Sequence, residues 1–178
     1  FLERIGSRSE LDAVLAEMAS QVGALHSQVG GGELRVDREN PAMAYLGARV
    51  TPVVDGLRID SILRAEADLV SQLPPLRRPG VDVQTGDVIR LVDGRPVASL
   101  ADLQLAIATK AGQQVRLDLT RDTRKLSAIV EPMTAEGHRQ ANYSDFVQGK
   151  RAETERLSGG KIGYIHLRAM GPDDVASF

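Results

Sequence analysis

Apolar residues recur at helical spacing near the start of the chain, at Leu11, Val14, Leu15, Met18 and Val22, and predict an amphipathic helix over residues 9–22. Ser7 with Glu10, and Ser9 with Asp12, have the spacing of a capping box at its start. Gly23 weakens the helix and Gly30-Gly31-Gly32 ends regular structure. So short a helix is marginal alone, and its apolar stripe needs something to pack on. Further along, the pattern changes to strands. Residues 57–62 follow an Asp55-Gly56 turn, residues 87–92 read as a buried strand, and Asp93-Gly94 is a tight-turn signal. Residues 115–119 alternate apolar and polar, as a half-buried strand does, and residues 126–131 pair with them across a polar turn at 121–124. Between these strands, Ser99 with Asp102 caps a helix carrying Leu100, Leu103, Ala106 and Ile107, expected to run over residues 100–111 and to stop at Gly112. Residues 65–73 are a short helix or a loop, and Pro74, Pro75, Pro79 and Gly80 break the chain after them.

After Pro132 the pattern predicts a polar linker holding His138. A charged helix follows, capped by Asn142 and carrying Tyr143, Phe146, Val147 and Leu157, and Ser158-Gly159-Gly160 ends it. Residues 161–167 are apolar on both faces, the signature of a strand covered on both sides in an α/β sheet, and Gly171-Pro172 begins another helix. The expected organisation is a partial helical subdomain at 1–41, a β-rich domain at 42–133 and the start of an α/β core at 134–178. The chain begins without Met and stops just after a helix start, so it is expected to be a piece of something longer.

Composition narrows the function classes. With 22 Lys and Arg against 24 Asp and Glu, the formal charge is -2 and the two signs are interspersed, which argues against nucleic-acid partners. No apolar run is long enough to cross a bilayer, so no membrane partner is expected. With no cysteine there is neither a disulfide framework nor thiolate chemistry, which fits the expected cytoplasmic location, although an exported protein can also lack cysteine. Aromatic residues make up 3%, so the core must be aliphatic. The histidines His26, His138 and His166 lack metal-ligand spacing, and no metal or cofactor is expected. His166 reads as structural and His138 as exposed. Gly30-Gly31-Gly32 lacks the Lys-Ser/Thr ending of a phosphate loop, and Arg77-Arg78 reads as a solvated surface pair.

The order of signals from Arg77 to Val97, a Pro79-Gly80 break, a Gly86-Asp87 turn, an apolar strand and the Asp93-Gly94 turn, followed by the Ser99-capped helix, resembles the second half of a PDZ domain. That resemblance implies an α+β fold, a small β-barrel or sandwich with helices, which binds peptide ends. In PDZ domains a glycine-containing loop donates backbone N–H groups to a ligand carboxylate, and the ligand adds as a strand beside a helix. Tyr45, Leu46, Gly47 and Ala48 stand where that loop would be, and Leu103 and Ile107 lie on the corresponding helix. Peptides or unfolded polypeptides are the implied partners.

The flanks extend the likeness. Leu2-Glu3-Arg4-Ile5, Ser7 to Leu11 and Ala24 to Gly32 resemble the region before the PDZ domain of tricorn-type serine peptidases, relatives of the C-terminal processing peptidases. Arg151 to Leu157 and Gly160 to Pro172 resemble the opening of their catalytic core. The resemblance implies a homo-oligomeric parent that hydrolyses peptides through an acyl-enzyme. In it His26 is the general base, and the serine nucleophile lies beyond Phe178, so the 178 residues alone would be inactive. The family places Ser immediately before that histidine, and here the position is Leu25. Two other readings stay open: a non-catalytic peptide-binding PDZ module, and a structural PDZ domain with a blocked groove.

Overall fold

The computed structural model describes residues 4–23, 28–30, 42–66, 72–169 and 171. They fall into two units, Phe1–Asn40 and Pro41–Phe178.

The first unit contains helix α1, Arg8–Ser20. Of the two capping boxes the sequence offers, Ser7 with Glu10 forms. The Ser7 hydroxyl accepts from the Glu10 N–H at 3.3 Å, and the Glu10 carboxylate accepts from the Ser7 N–H at 3.1 Å. No residue of α1 is buried, and Met18 of the predicted stripe is 63% exposed.

The second unit is built on antiparallel strands. They are β1 (Ala44–Tyr45), β2 (Ala48–Val53), β3 (Gly56–Ile62), β4 (Val88–Val92), β5 (Arg95–Pro96), β6 (Val115–Arg121), β7 (Arg124–Val130) and β8 (Met133–Thr134). The main sheet runs β2-β3-β4-β6-β7, with β5 paired to β4, and β1 pairs separately with β8. Among the described residues the path does not close into a barrel, so β2 and β7 are its edges. Helix α2, Leu100–Ile107, is capped as the sequence predicts. Ser99 Oγ accepts from the Asp102 N–H at 3.1 Å, and Asp102 Oδ2 accepts from the Ser99 N–H at 2.9 Å. The helix stops short of residue 111, because Ala108 turns extended and the Thr109 N–H bonds the Ala42 carbonyl at 2.9 Å. Leu100, expected on the apolar stripe, is half exposed.

The core is aliphatic, as the low aromatic content requires. Val115, Leu117 and Leu119 of β6 point inward on alternate positions and meet Leu57, Ile59, Ile89, Val92, Leu103 and Ile107. The Asp93-Gly94 turn has positive φ at both residues, and Asp93 Oδ1 accepts the Arg116 N–H at 2.8 Å. Arg77 and Arg78 are more than a solvated pair. Arg77 Nε donates to the Leu63 carbonyl at 2.7 Å, and Arg78 pairs with Glu131 at 2.8 Å.

Beyond Pro132 the structure corrects two expectations. The third helix, α3, spans Ala135–Ser158 and is capped by Thr134, whose hydroxyl accepts the Gly137 N–H at 3.1 Å. Asn142 is therefore an interior residue, and the expected polar linker is helix. The reason is that β8 pairs with β1 and leads directly into the capped first turn. Residues 161–167 form no strand, and Ile162 and Ile165 stay more than 60% exposed. A strand needs a neighbour for its N–H and C=O groups, and among the described residues no strand pairs with this segment. His166 is tied by Tyr143 Oη at 2.5 Å and Tyr164 Oη at 3.1 Å, in keeping with a structural role.

Two buried carboxylates fasten the unit. Asp87 is 1% exposed, receives Arg121 at 2.7 and 2.9 Å, and accepts the Gln84 N–H at 2.8 Å. Burial pushes its pKa up, but the hydrogen bonds from Arg121 and Gln84 more than offset this and hold it below the usual carboxylate value. The stability it supplies is thus full above the unfolded value near 3.8 and is lost as the pH falls through the lower folded one. Replacing it by Asp87→Asn removes the buried one of Arg121's two carboxylate partners, leaving it the exposed Asp82, and should cost about 3 kcal/mol in urea unfolding at neutral pH. It should also flatten the acid limb of the stability curve. An unchanged urea midpoint would show that this clasp does not hold the turn before β4.

Candidate functional site: the groove between β2 and α2

Among the described residues, strand β2 bonds β3 on one side only, and its other edge is open in the sheet. Across from that edge lies α2, and between them runs a groove of about 230 Å³. Tyr45, Leu46, Gly47, Ala48, Leu103 and Ile107, the six peptide-site candidates from the sequence, all line it. Val50 and Leu100 add apolar wall, and Gln104 and His138 add polar groups.

The head of the groove is set by Gly47. Its φ of +72° is left-handed, and a Cβ there would stand 2.7 Å from Pro74 Cβ and 3.2 Å from Met133 Cε. Only glycine lets the chain turn from β1 into β2 so close to the buried Pro74-Pro75 segment. The Gly47 carbonyl is engaged by the Leu63 N–H at 2.9 Å.

Sequence reasoning placed His138 in an exposed linker. The structure puts it on the first turns of α3, with its ring stacked on Tyr45 at 4.2 Å between centroids and 3° between planes. Asn142 Nδ2 approaches His138 Nε2 at 3.0 Å and also donates to the His138 carbonyl at 2.9 Å. An amide nitrogen only donates, so Nε2 accepts and this network assigns the proton to Nδ1. Burial lowers the imidazole pKa below its ordinary value, and the Arg49 charge lowers it further, so the ring is neutral at neutral pH. The linker expectation failed because contact with Tyr45 spans almost the whole domain in sequence. Thr134 followed by Glu136 was the local signal for an earlier helix start.

The seat of α3 is fixed by Asp145. This carboxylate accepts the Arg64 N–H at 3.0 Å and Arg64 Nε at 2.8 Å, and Arg49 reaches it at 3.3 Å. Burial raises its pKa, yet the Arg64 hydrogen bonds outweigh this and lower it overall. His26, the base implied by the family resemblance, lies outside the described residues. No group of three or more His, Cys, Asp or Glu suited to a metal occurs among the described residues. Among them, no helix is long and apolar enough to cross a membrane.

An open antiparallel sheet whose edge strand faces a capped helix across a groove, with a left-handed glycine at its head, defines a PDZ-type domain. The family described as the tricorn protease PDZ domain matches residues 44–135, and the chain belongs to that family. Tricorn protease homolog 1 of Streptomyces coelicolor is 30% identical over 174 residues, covering 95% of this chain and 16% of that protein. The tricorn protease homolog of Saccharolobus solfataricus is 28% identical, covering 99% of this chain and 16% of the relative. A crystal structure of the tricorn protease shares the fold with a TM-score of 0.77 at 22% identity, over 98% of this chain and 17% of that one. The chain thus spans about a sixth of the length of the relatives it matches.

His138 makes the stability pH-dependent in a window of its own. Its folded pKa lies below the ordinary 6.5, so the unfolded chain binds the extra proton first. Stability should therefore fall as the pH drops through about 6.5 toward the lower folded value. Asp87 and Asp145 titrate only in more acidic solution. Melting curves of His138→Phe, which keeps a stacking ring, should lose this slope. An identical slope in the variant would assign the effect elsewhere.

Proposed function

We propose that this chain is the PDZ-bearing part of a tricorn-like serine peptidase. In this reading the groove holds peptides or unfolded polypeptides that the catalytic machinery of the longer protein cleaves. The supporting observation is the open edge of β2, which runs along the groove lined by Tyr45, Leu46, Gly47, Ala48, Leu103 and Ile107. A peptide adds there as one more strand, its main-chain groups bonding the β2 edge and alternate side chains entering toward α2. The terminal carboxylate is received by N–H groups of the 45–48 loop.

Catalysis is assigned to His26 as general base, taking the proton of a serine supplied by sequence outside these 178 residues. Leu25 removes the preceding serine hydroxyl of the family pattern, so the imidazole must be oriented by other groups. The division into a helical part at 1–41, a PDZ domain at 42–133 and the start of a core at 134–178 belongs to the same proposal. So do a cytoplasmic location and a homo-oligomeric parent. The competing reading is a peptide-binding module without catalysis. The departure at Leu25 from the family pattern gives it footing.

Two measurements separate these readings. The 178-residue chain should bind peptides with a free C-terminus in fluorescence polarisation. Leu100→Glu, at the half-exposed groove rim, should weaken binding about tenfold or more by placing a charge against apolar ligand atoms. Equal affinity for C-terminally amidated peptides would remove the carboxylate from the reading. In the full-length protein, His26→Ala should lower kcat on a fluorogenic peptide by about 10²–10⁴-fold and leave groove binding intact. Absence of turnover in the wild-type full-length protein would favour the non-catalytic module.

A further inference from the structure

Two buried polar atoms in side chains of the groove have no hydrogen-bond partner among the described residues, and they are opposite in kind. Gln104 Oε1 is an acceptor. His138 Nδ1 is a donor, because Nε2 of the same ring is engaged by the Asn142 amide. They reach the groove from different elements, Gln104 from α2 and His138 from α3. Apart from Tyr45 and Gly47, the rest of the wall, Leu46, Ala48, Val50, Leu100, Leu103 and Ile107, is apolar. An uncompensated buried donor and acceptor both count against stability, and an aliphatic residue at either position would remove that penalty. Their presence together in one otherwise apolar groove of about 230 Å³ suits a ligand group that completes both.

We infer that Gln104 and His138 form a selectivity site for a peptide side chain that both donates and accepts a hydrogen bond, a Ser or Thr hydroxyl or an Asn or Gln carboxamide. This rests on the groove being the peptide site. A hydroxyl or carboxamide donates to Gln104 Oε1 and accepts from the His138 Nδ1–H. An aliphatic isostere of the same shape leaves both protein atoms unpaired and is rejected. A carboxylate side chain has no hydrogen for Gln104, and an ammonium has no lone pair for His138. Burial and Arg49 oppose protonation of His138, so the ring stays a neutral donor. The stack on Tyr45 fixes the plane of the imidazole, and Gln104, half-buried on α2, carries its amide on rotatable bonds that can turn toward a ligand. Asn142 and Tyr45 also pack against the ring, and neither is a carboxylate or a cation.

The test uses fluorescence polarisation with C-terminal peptides in which each position is exchanged pairwise, Thr for Val and Asn for Leu. The wild-type chain should prefer the polar member about tenfold at one position or at two alternate positions. In the Gln104→Leu, His138→Phe double variant that preference should shrink to near unity, with the Val and Leu peptides bound at least as well as before. Since the double variant can misfold, Gln104→Leu alone, at a half-exposed helix position, should lose several-fold of the preference. Heteronuclear NMR of the wild-type imidazole should show the Nδ1 hydrogen shifting with the Thr peptide and not with the Val peptide. Equal binding of both members at every position, or a preference unchanged in the variants, overturns the selectivity site. If peptides bind and Leu100→Glu abolishes that binding, the groove reading still stands. If no peptide binds the wild-type chain at all, the groove reading falls and the selectivity site falls with it.

Discussion

One carboxylate holds the site together. Asp145 is buried on α3, and it accepts both the backbone and the side chain of Arg64 at the end of β3, with Arg49 of β2 closing the pair. A charge taken out of water at that depth persists only when its lone pairs are filled, and three donors fill them here. The bond to a main-chain N–H matters most for geometry, because it fixes α3 to the sheet rather than to a swinging side chain. His138 lies seven residues earlier on the same helix, about two turns away and on the same face. Anchoring Asp145 therefore sets where the imidazole meets Tyr45.

The second constraint is the open edge of β2. Most sheets protect such an edge with charge, proline or a covering segment. Here α2 stands across from it at the width of a groove, and the glycine at position 47 brings the chain into β2 without filling the head of that groove. In the proposed reading, apolar walls favour ligand side chains without choosing among them, and the unpaired Gln104 and His138 atoms add a polar criterion. Family membership and groove geometry both support the proposed peptide reading.

Local signals survived the passage from sequence to structure wherever the deciding interaction spans a few residues. The Ser7 and Ser99 caps close on partners three positions away, and the Asp93-Gly94 turn and the alternation of β6 are written in the local residue pattern. The six groove residues Tyr45, Leu46, Gly47, Ala48, Leu103 and Ile107 were legible because the order of turn, strand and capped helix resembles a known domain. Where the partner was distant, local reading failed. The start of α3 was misplaced because its first turn lacks an apolar stripe and is instead set by the β1–β8 ladder. Residues 161–167 have the composition of a covered strand, yet composition supplies no neighbour.

The sequence by itself determined the aliphatic core, the antiparallel strands and the capped helices, since propensity, periodicity and capping act through near neighbours along the chain. Only the tertiary structure decided that His138 stands in the groove, that Asp145 is buried against Arg64, and that β2 keeps a free edge. The first two arise from contacts between residues more than 80 positions apart and the third from the order in which strands pair, and no periodicity along a chain encodes which distant groups will meet.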